Sequence, residues 1–166
     1  MDEIVNRVKN SGLIPLELAS YKPSIKIQEI DIADTLWQRL VLKEKDFRTW
    51  IKEHNWASYK DNAVYVHCSE DAIVPTWAYM LIGSKLEEQS CDFVIGNAID
   101  LEKMLIQKKI QSDDLEKYID GRVIIKGCSD LAEPEFAMVE LVKFLQPVVK
   151  SIMYGEPCST VPIFKK

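Results

Sequence analysis

Histidine and glycine are scarce in this chain of 166 residues, with two histidines, six glycines and no glycine-rich loop. There is no P-loop and no Gly-x-Gly-x-x-Gly turn, so phosphate cradles of the familiar kinds are missing. The lone Gly83-Ser84 pair falls inside a predicted helix. Two histidines leave little from which to build a serine triad. No Cys-x-x-Cys pair occurs, which excludes a zinc site made from two knuckles. Basic clusters are also absent. The formal charge is −5 and the pI about 5.1, whereas nucleic-acid binding rests on grouped lysine and arginine that release counterions. The densest basic group, Lys103 to Lys109, alternates with Met104, Leu105 and Ile106 as a solvated helix face does. No stretch approaches the roughly 18 apolar residues of a membrane span, and Met1 to Lys9 has no apolar run of signal-peptide length. The expectation is a cytoplasmic protein that binds neither nucleic acid nor membrane, with its thiols kept reduced.

What is present suits a globular core: 47% hydrophobic and 28% charged residues, most simply one domain over 1–166. Its irregular first part is 1–60, a βαβ-type part is 61–154, and a folded-back tail is 155–166. Leu13 to Ala19 and Ile25 to Ile32 alternate like half-exposed strands and are expected as an antiparallel pair or an edge. Leu36 to Leu42 either extends that sheet or begins a helix, and Lys43 to His54 has helical spacing at Phe47, Trp50 and Ile51. Strands at Ala63–Cys68, Asp92–Gly96 and Arg122–Gly127 then alternate with helices at Pro75–Glu88, Ile99–Ile110 and Pro134–Tyr154. Pro147 should kink or split the last helix, and Gly155 should end it. The fold class is α/β, in two or three layers, with a mixed, mainly parallel sheet and short N-terminal antiparallel strands. The apolar run Pro75 to Ile82 reads as a central core helix or, failing that, as a subunit interface of a homodimer.

Three of the four cysteines are followed by serine, at Cys68, Cys128 and Cys158. The first two close a quasi-repeat of strand, cysteine and helix. Tyr59, Asp61, Val64, Val66 and Pro75 recur 59 residues on as Tyr118, Asp120, Val123, Ile125 and Pro134. If both strands lie in one parallel sheet, both thiols emerge at its carboxyl edge, where α/β proteins place their sites. Glu70 and Asp71, Asp130, and Glu156 surround the three thiols. Such acids disfavour a bare thiolate, but a bound cation would deprotonate the thiols and accept the carboxylates as ligands. The candidate metal set is therefore Cys68, Cys128, Cys158, Asp130, Glu70 and Glu156, for zinc, iron or an iron–sulfur cluster. The acids also suit helix N-termini, and buried cysteine is often a small hydrophobe. Cys91 fits that last reading and is left out of the site. His67 reads as a half-exposed strand residue turned away from Cys68, and His54 as a favourable charge at a helix end or a surface residue. Two readings stay open beside the metal: a nucleophilic or sulfur-accepting Cys68 or Cys158, and a non-catalytic interaction protein with packed cysteines. The reading favours a protein that is not an enzyme.

The segments Met1 to Val8, Leu42 to Arg48, Ala72 to Met80, Ile125 to Cys128 and Ser151 to Pro162 together resemble the bacterial family called domain of unknown function 2480. Gly155-Glu156-Pro157-Cys158-Ser159-Thr160-Val161-Pro162 is the most specific part, and the resemblance covers essentially the whole chain. The family brings no assigned activity. Its genes often lie near those for iron–sulfur cluster assembly, so the resemblance implies handling of clusters, iron or sulfur, with assembly proteins as partners.

Overall fold

Alternating inward residues make β3 (Ala63–His67) the centre of a small parallel sheet: Val64 and Val66 face one side, Ala63 and Tyr65 the other. β2 (Ile27–Asp31) and β4 (Asp92–Ile95) flank it, both in parallel register. On the first side, α1 (Glu44–Glu53) contributes Phe47 and Ile51, and α2 (Thr76–Glu88) contributes Ala78, Ile82 and Leu86 to one core with Ile30 and Ile32. On the second side, Leu101 and Leu105 of α3 (Ala98–Gln111) pack with Ala63 and Tyr65. The structure is a computed structural model that describes residues 12–127 and 130–166.

A second sheet has four strands in the order β1 (Leu13–Glu17), β5 (Arg122–Lys126), β6 (Ser151–Glu156), β7 (Ser159–Lys165). The first three are parallel and β7 returns antiparallel to β6. α4 (Pro134–Leu145) buries Ala137, Leu141 and Leu145 against Leu16, Val123, Ile125 and Ile152 on one face. Pro134 opens this helix, where its missing N–H removes no internal bond. The chain divides into two compact units: a central unit, Ser24–Leu105, and a terminal unit formed by the described residues through Pro23 together with Ile106–Lys166. The molecule is thus mixed α/β and mainly parallel, with four helices among the described residues.

Several expectations need correction. β1 and β2 do not form an antiparallel pair; each is an edge strand joined in parallel to a later strand of its own sheet. Leu36 to Leu42 neither extends a sheet nor begins a helix. Gln38 and Arg39 adopt positive φ, so the chain doubles back and Trp37 bridges Val41. The last helix stops at Leu145 rather than Tyr154, and Ser151–Glu156 is β6. Pro147 cannot continue the helical ladder, and Ile152 beyond it gains a place beside Val123. Gly155 therefore lies within a strand, not at a helix end. Its φ is +116°, and a Cβ there would sit 2.6 Å from the Ser159 carbonyl oxygen, so the tight β6–β7 hairpin requires glycine. Finally, β3 and β5, which precede Cys68 and Cys128, lie in separate sheets rather than one. Within those sheets Tyr59 and Tyr118 each end a 3-10 turn, and Asp61 and Asp120 both take positive φ just before the strand.

Candidate functional site

The carboxyl end of a parallel strand delivers its next residues to the sheet edge. In the central unit β3 delivers Cys68, half-buried, whose Sγ donates to the Glu70 carbonyl oxygen at 3.4 Å. The Glu70 carboxylate does not turn to the thiol. It accepts from Arg39 Nε at 2.6 Å, and Arg39 also pairs with Asp34 at 3.7 Å. Asp31, ending the neighbouring β2, accepts the backbone N–H groups of Ser69 at 3.0 Å and Ala33 at 2.9 Å. Burial works against the Asp31 charge, but these bonds, the Ser69 side chain and nearby His67 hold its carboxyl below the usual range. His67 is half-buried and engages Glu29 across the strand pair.

The terminal unit has a different edge. β1, β5 and β6 end at Glu17, Lys126 and Glu156, and the Lys126 ammonium lies 2.9 Å from Glu156 and 3.8 Å from Glu17. Cys158 follows on the two-residue turn between β6 and β7 and is exposed. The hydrogen bond to Glu156, with the charges of Glu156 and Glu17 and the Cys158 sulfur close by, pushes the Lys126 pKa up. Asp130 is almost fully exposed and pairs with Lys22 at 3.6 Å.

Of the six expected ligands, Cys68 and Glu70 lie in the central unit, while Asp130, Glu156 and Cys158 lie in the terminal one. Cys128 lies outside the described residues. Among the described residues no three His, Cys, Asp or Glu side chains come together as a metal-holding group. Each of the three expected carboxylates has a cation beside it: Arg39 for Glu70, Lys22 for Asp130, Lys126 for Glu156. That pairing removes much of the like-charge repulsion that the sequence suggested for the thiols. Arg39, Glu17 and Lys126 were missed by sequence reasoning. Lys126 had a signal, its place directly before Gly127-Cys128, whereas Arg39 reaches Glu70 from a loop without periodicity.

Cys91 is buried, with Sγ 3.4 Å from the Leu86 carbonyl oxygen, and burial pushes its thiol up. His54 is neither a favourable helix-end charge nor a plain surface residue. Its ring packs against both Trp50 and Trp56, with Nε2 2.8 Å from the Tyr59 hydroxyl, and burial pulls its pKa down. The Pro75 to Ile82 run is a core helix at Ala78 and Ile82, with Met80 outside. Among the described residues no helix is long and apolar enough to cross a membrane.

Two parallel-centred sheets, each presenting a thiol beyond a strand end, define a mixed α/β protein with cysteine-bearing sheet edges. The family described as protein of unknown function DUF2480 matches residues 2–166, and the chain belongs to that family. No curated protein and no solved structure matches the chain.

Proposed function

We propose that this chain is an accessory protein that carries a thiophilic cargo, a zinc or iron ion or an iron–sulfur precursor, at the carboxyl edge of the terminal unit, with Cys158 as first contact. The observation that supports this reading is the exposed thiol on the β6–β7 turn beside the Glu156, Lys126 and Glu17 group. Cys128 is the proposed second thiol, entering by sequence alone, with Asp130 following it. Cys68 is then a separate thiol in the central unit, and Arg39 would have to release the Glu70 carboxylate for it to join as a ligand. Iron–sulfur assembly proteins and a second copy of the chain are the proposed partners.

In this reading Lys126 holds the place of the cargo. An ammonium between two carboxylates occupies the position a metal ion would take, so binding must displace it. A second reading rests on the same lysine. A cation beside a thiolate favours the nucleophilic form, so Cys158 would accept sulfane sulfur. Its thiolate would attack the outer sulfur of a donor persulfide, the S–S bond would break, and the donor would leave as a thiolate.

Lys126→Gln separates the two. With reduced, anaerobic protein, zinc(II) or iron(II) uptake should rise in Lys126→Gln and vanish in Cys158→Ser if the edge carries metal. If Cys158 is a sulfur acceptor, Lys126→Gln should instead slow its persulfidation and leave metal uptake at zero. Uptake unaffected by Cys158→Ser would overturn the first reading.

A further inference from the structure

The four-stranded sheet carries a second feature, a cavity that runs along one face of β6 and β7. In register, Leu13, Arg122, Ser151 and Lys165 form one row across β1, β5, β6 and β7. Met153 follows Ser151 two residues along on the same face, and a register shift in β7 brings Pro162 opposite it. These residues line a cavity of about 780 Å³; Lys150 and Lys166 complete its rim at this end, and Pro157 and Thr160 line it at the other, beside the turn that carries Cys158. Its lining contains four cations and no acidic side chain.

That composition is unusual for a chain with a net charge of −5. None of the four cations has a carboxylate partner among the described residues, whereas Lys126 at the other end of the same strands has two. Solvated lysines at strand ends would account for the charges alone. They would not account for the hollow with Leu13, Met153 and Pro162 as its floor. A cavity of this size lies within the roughly 300–1,000 Å³ range of small-molecule sites, and a few convergent polar groups over an apolar floor are how such sites fix orientation. It is too large for an inorganic anion alone. Arg122 offers a planar fork suited to a carboxylate or phosphate, and the lysines add point charges.

We infer that this cavity binds a soluble organic anion, an apolar body with a carboxylate or phosphate head, with the body over Met153 and Pro162 and the head at Arg122 and Lys165. Cys158 is not among the lining residues, and the inference does not rest on the metal reading.

The test is calorimetric titration of the full chain with octyl phosphate, 1-octanol and inorganic phosphate, below any micelle concentration. Wild type should bind octyl phosphate saturably, one per chain, and more tightly than either control by at least about ten-fold, the scale of one charge-assisted contact. Arg122→Gln with Lys165→Gln should weaken octyl phosphate by a similar factor and leave octanol unchanged, and Cys158→Ser should change nothing. A thermal melt without ligand checks that the double variant folds, and Met153→Lys supplies an independent block of the floor. Equal binding of octanol and octyl phosphate would overturn the inference, as would inorganic phosphate binding equally well. Binding only to anionic phospholipid vesicles, with no monomeric octyl phosphate bound, would also overturn it and assign the cations to a lipid surface.

Discussion

The central and terminal units both build parallel strands from Val- and Ile-rich segments, yet they treat their sheet ends differently. In the central unit, Cys68 is half-buried and bonded to its own loop, and the surrounding carboxylates are taken up by Arg39, Ser69 and Ala33. In the terminal unit, Cys158 stands on an exposed turn next to an ion-paired lysine, and a cavity with a cationic rim at its far end runs along the same strands. A cysteine followed by serine near a carboxylate is common to both. What differs is whether the loop consumes its own polar groups. A satisfied loop is a structural element, whereas a unit with an exposed thiol at one end of its strands and unpaired cations at the other has chemistry to offer.

The largest effects should come from the two cores. Ile82 and Leu141 are fully buried, one in each unit. Ile82→Ala and Leu141→Ala should each cost about 2–5 kcal/mol. Amide hydrogen exchange should then show β3 losing protection in the first variant and β5 in the second. Equal loss in both strands from either variant would break the division into units.

Gly155→Ala comes next. Positive φ and a Cβ at 2.6 Å from the Ser159 carbonyl oxygen should cost about 1–3 kcal/mol. Loss of protection should be confined to β6 and β7, read by the same exchange experiment.

Acid should separate the units by window. His54 in the central unit has its pKa lowered by burial. The unfolded chain therefore binds the proton more readily, and the stability contributed above the ordinary histidine pKa of about 6.5 is lost as pH falls through the folded value. In the terminal unit, Asp113 accepts from Tyr21 at 2.7 Å and from Tyr118 at 2.9 Å. Burial opposes its charge, but these bonds, the Asp114 N–H and Lys117 hold its pKa below the usual value. Its contribution is present above the ordinary carboxylate pKa of about 3.9 and is lost at lower pH. His54→Gln should flatten the stability profile just below about pH 6.5, and Asp113→Asn the profile below about pH 4, as read by denaturant melts across pH. A shared window for the two variants would contradict the assignment. Asp113→Asn should also cost about 1–2 kcal/mol near neutrality, because two phenolic donors lose a charged acceptor.

Much of this fold is legible in the residues. Strands centred on Val64, Phe93 and Val123 and helices over Phe47, Ile82 and Leu101 follow from periodicity, because each buries one face. Pairing is not legible in the same way. β1 resembles β2 in pattern, and only the completed sheets show that one joins β5 and the other β3. Ser151 to Glu156 reads as helix because Ile152 follows Val148 and Val149 at helical spacing, but the β5 edge converts it to strand. The thiols follow the same logic. The place of Cys68 after a strand could be read locally, that of Cys158 could not because its strand reads as helix, and the partners of Glu70 and Glu156 come from Arg39 and Lys126, which are distant in sequence.

The comparison of the two edges is tested most directly by competitive alkylation of the native, reduced protein, with mass tags that resolve the rates of Cys68, Cys91 and Cys158. Cys158 should label fastest, Cys68 at least about ten-fold more slowly because its thiol is half-buried, and Cys91 only on unfolding. Cys68 labelling as fast as Cys158 would contradict that order and return the candidate site to the central unit.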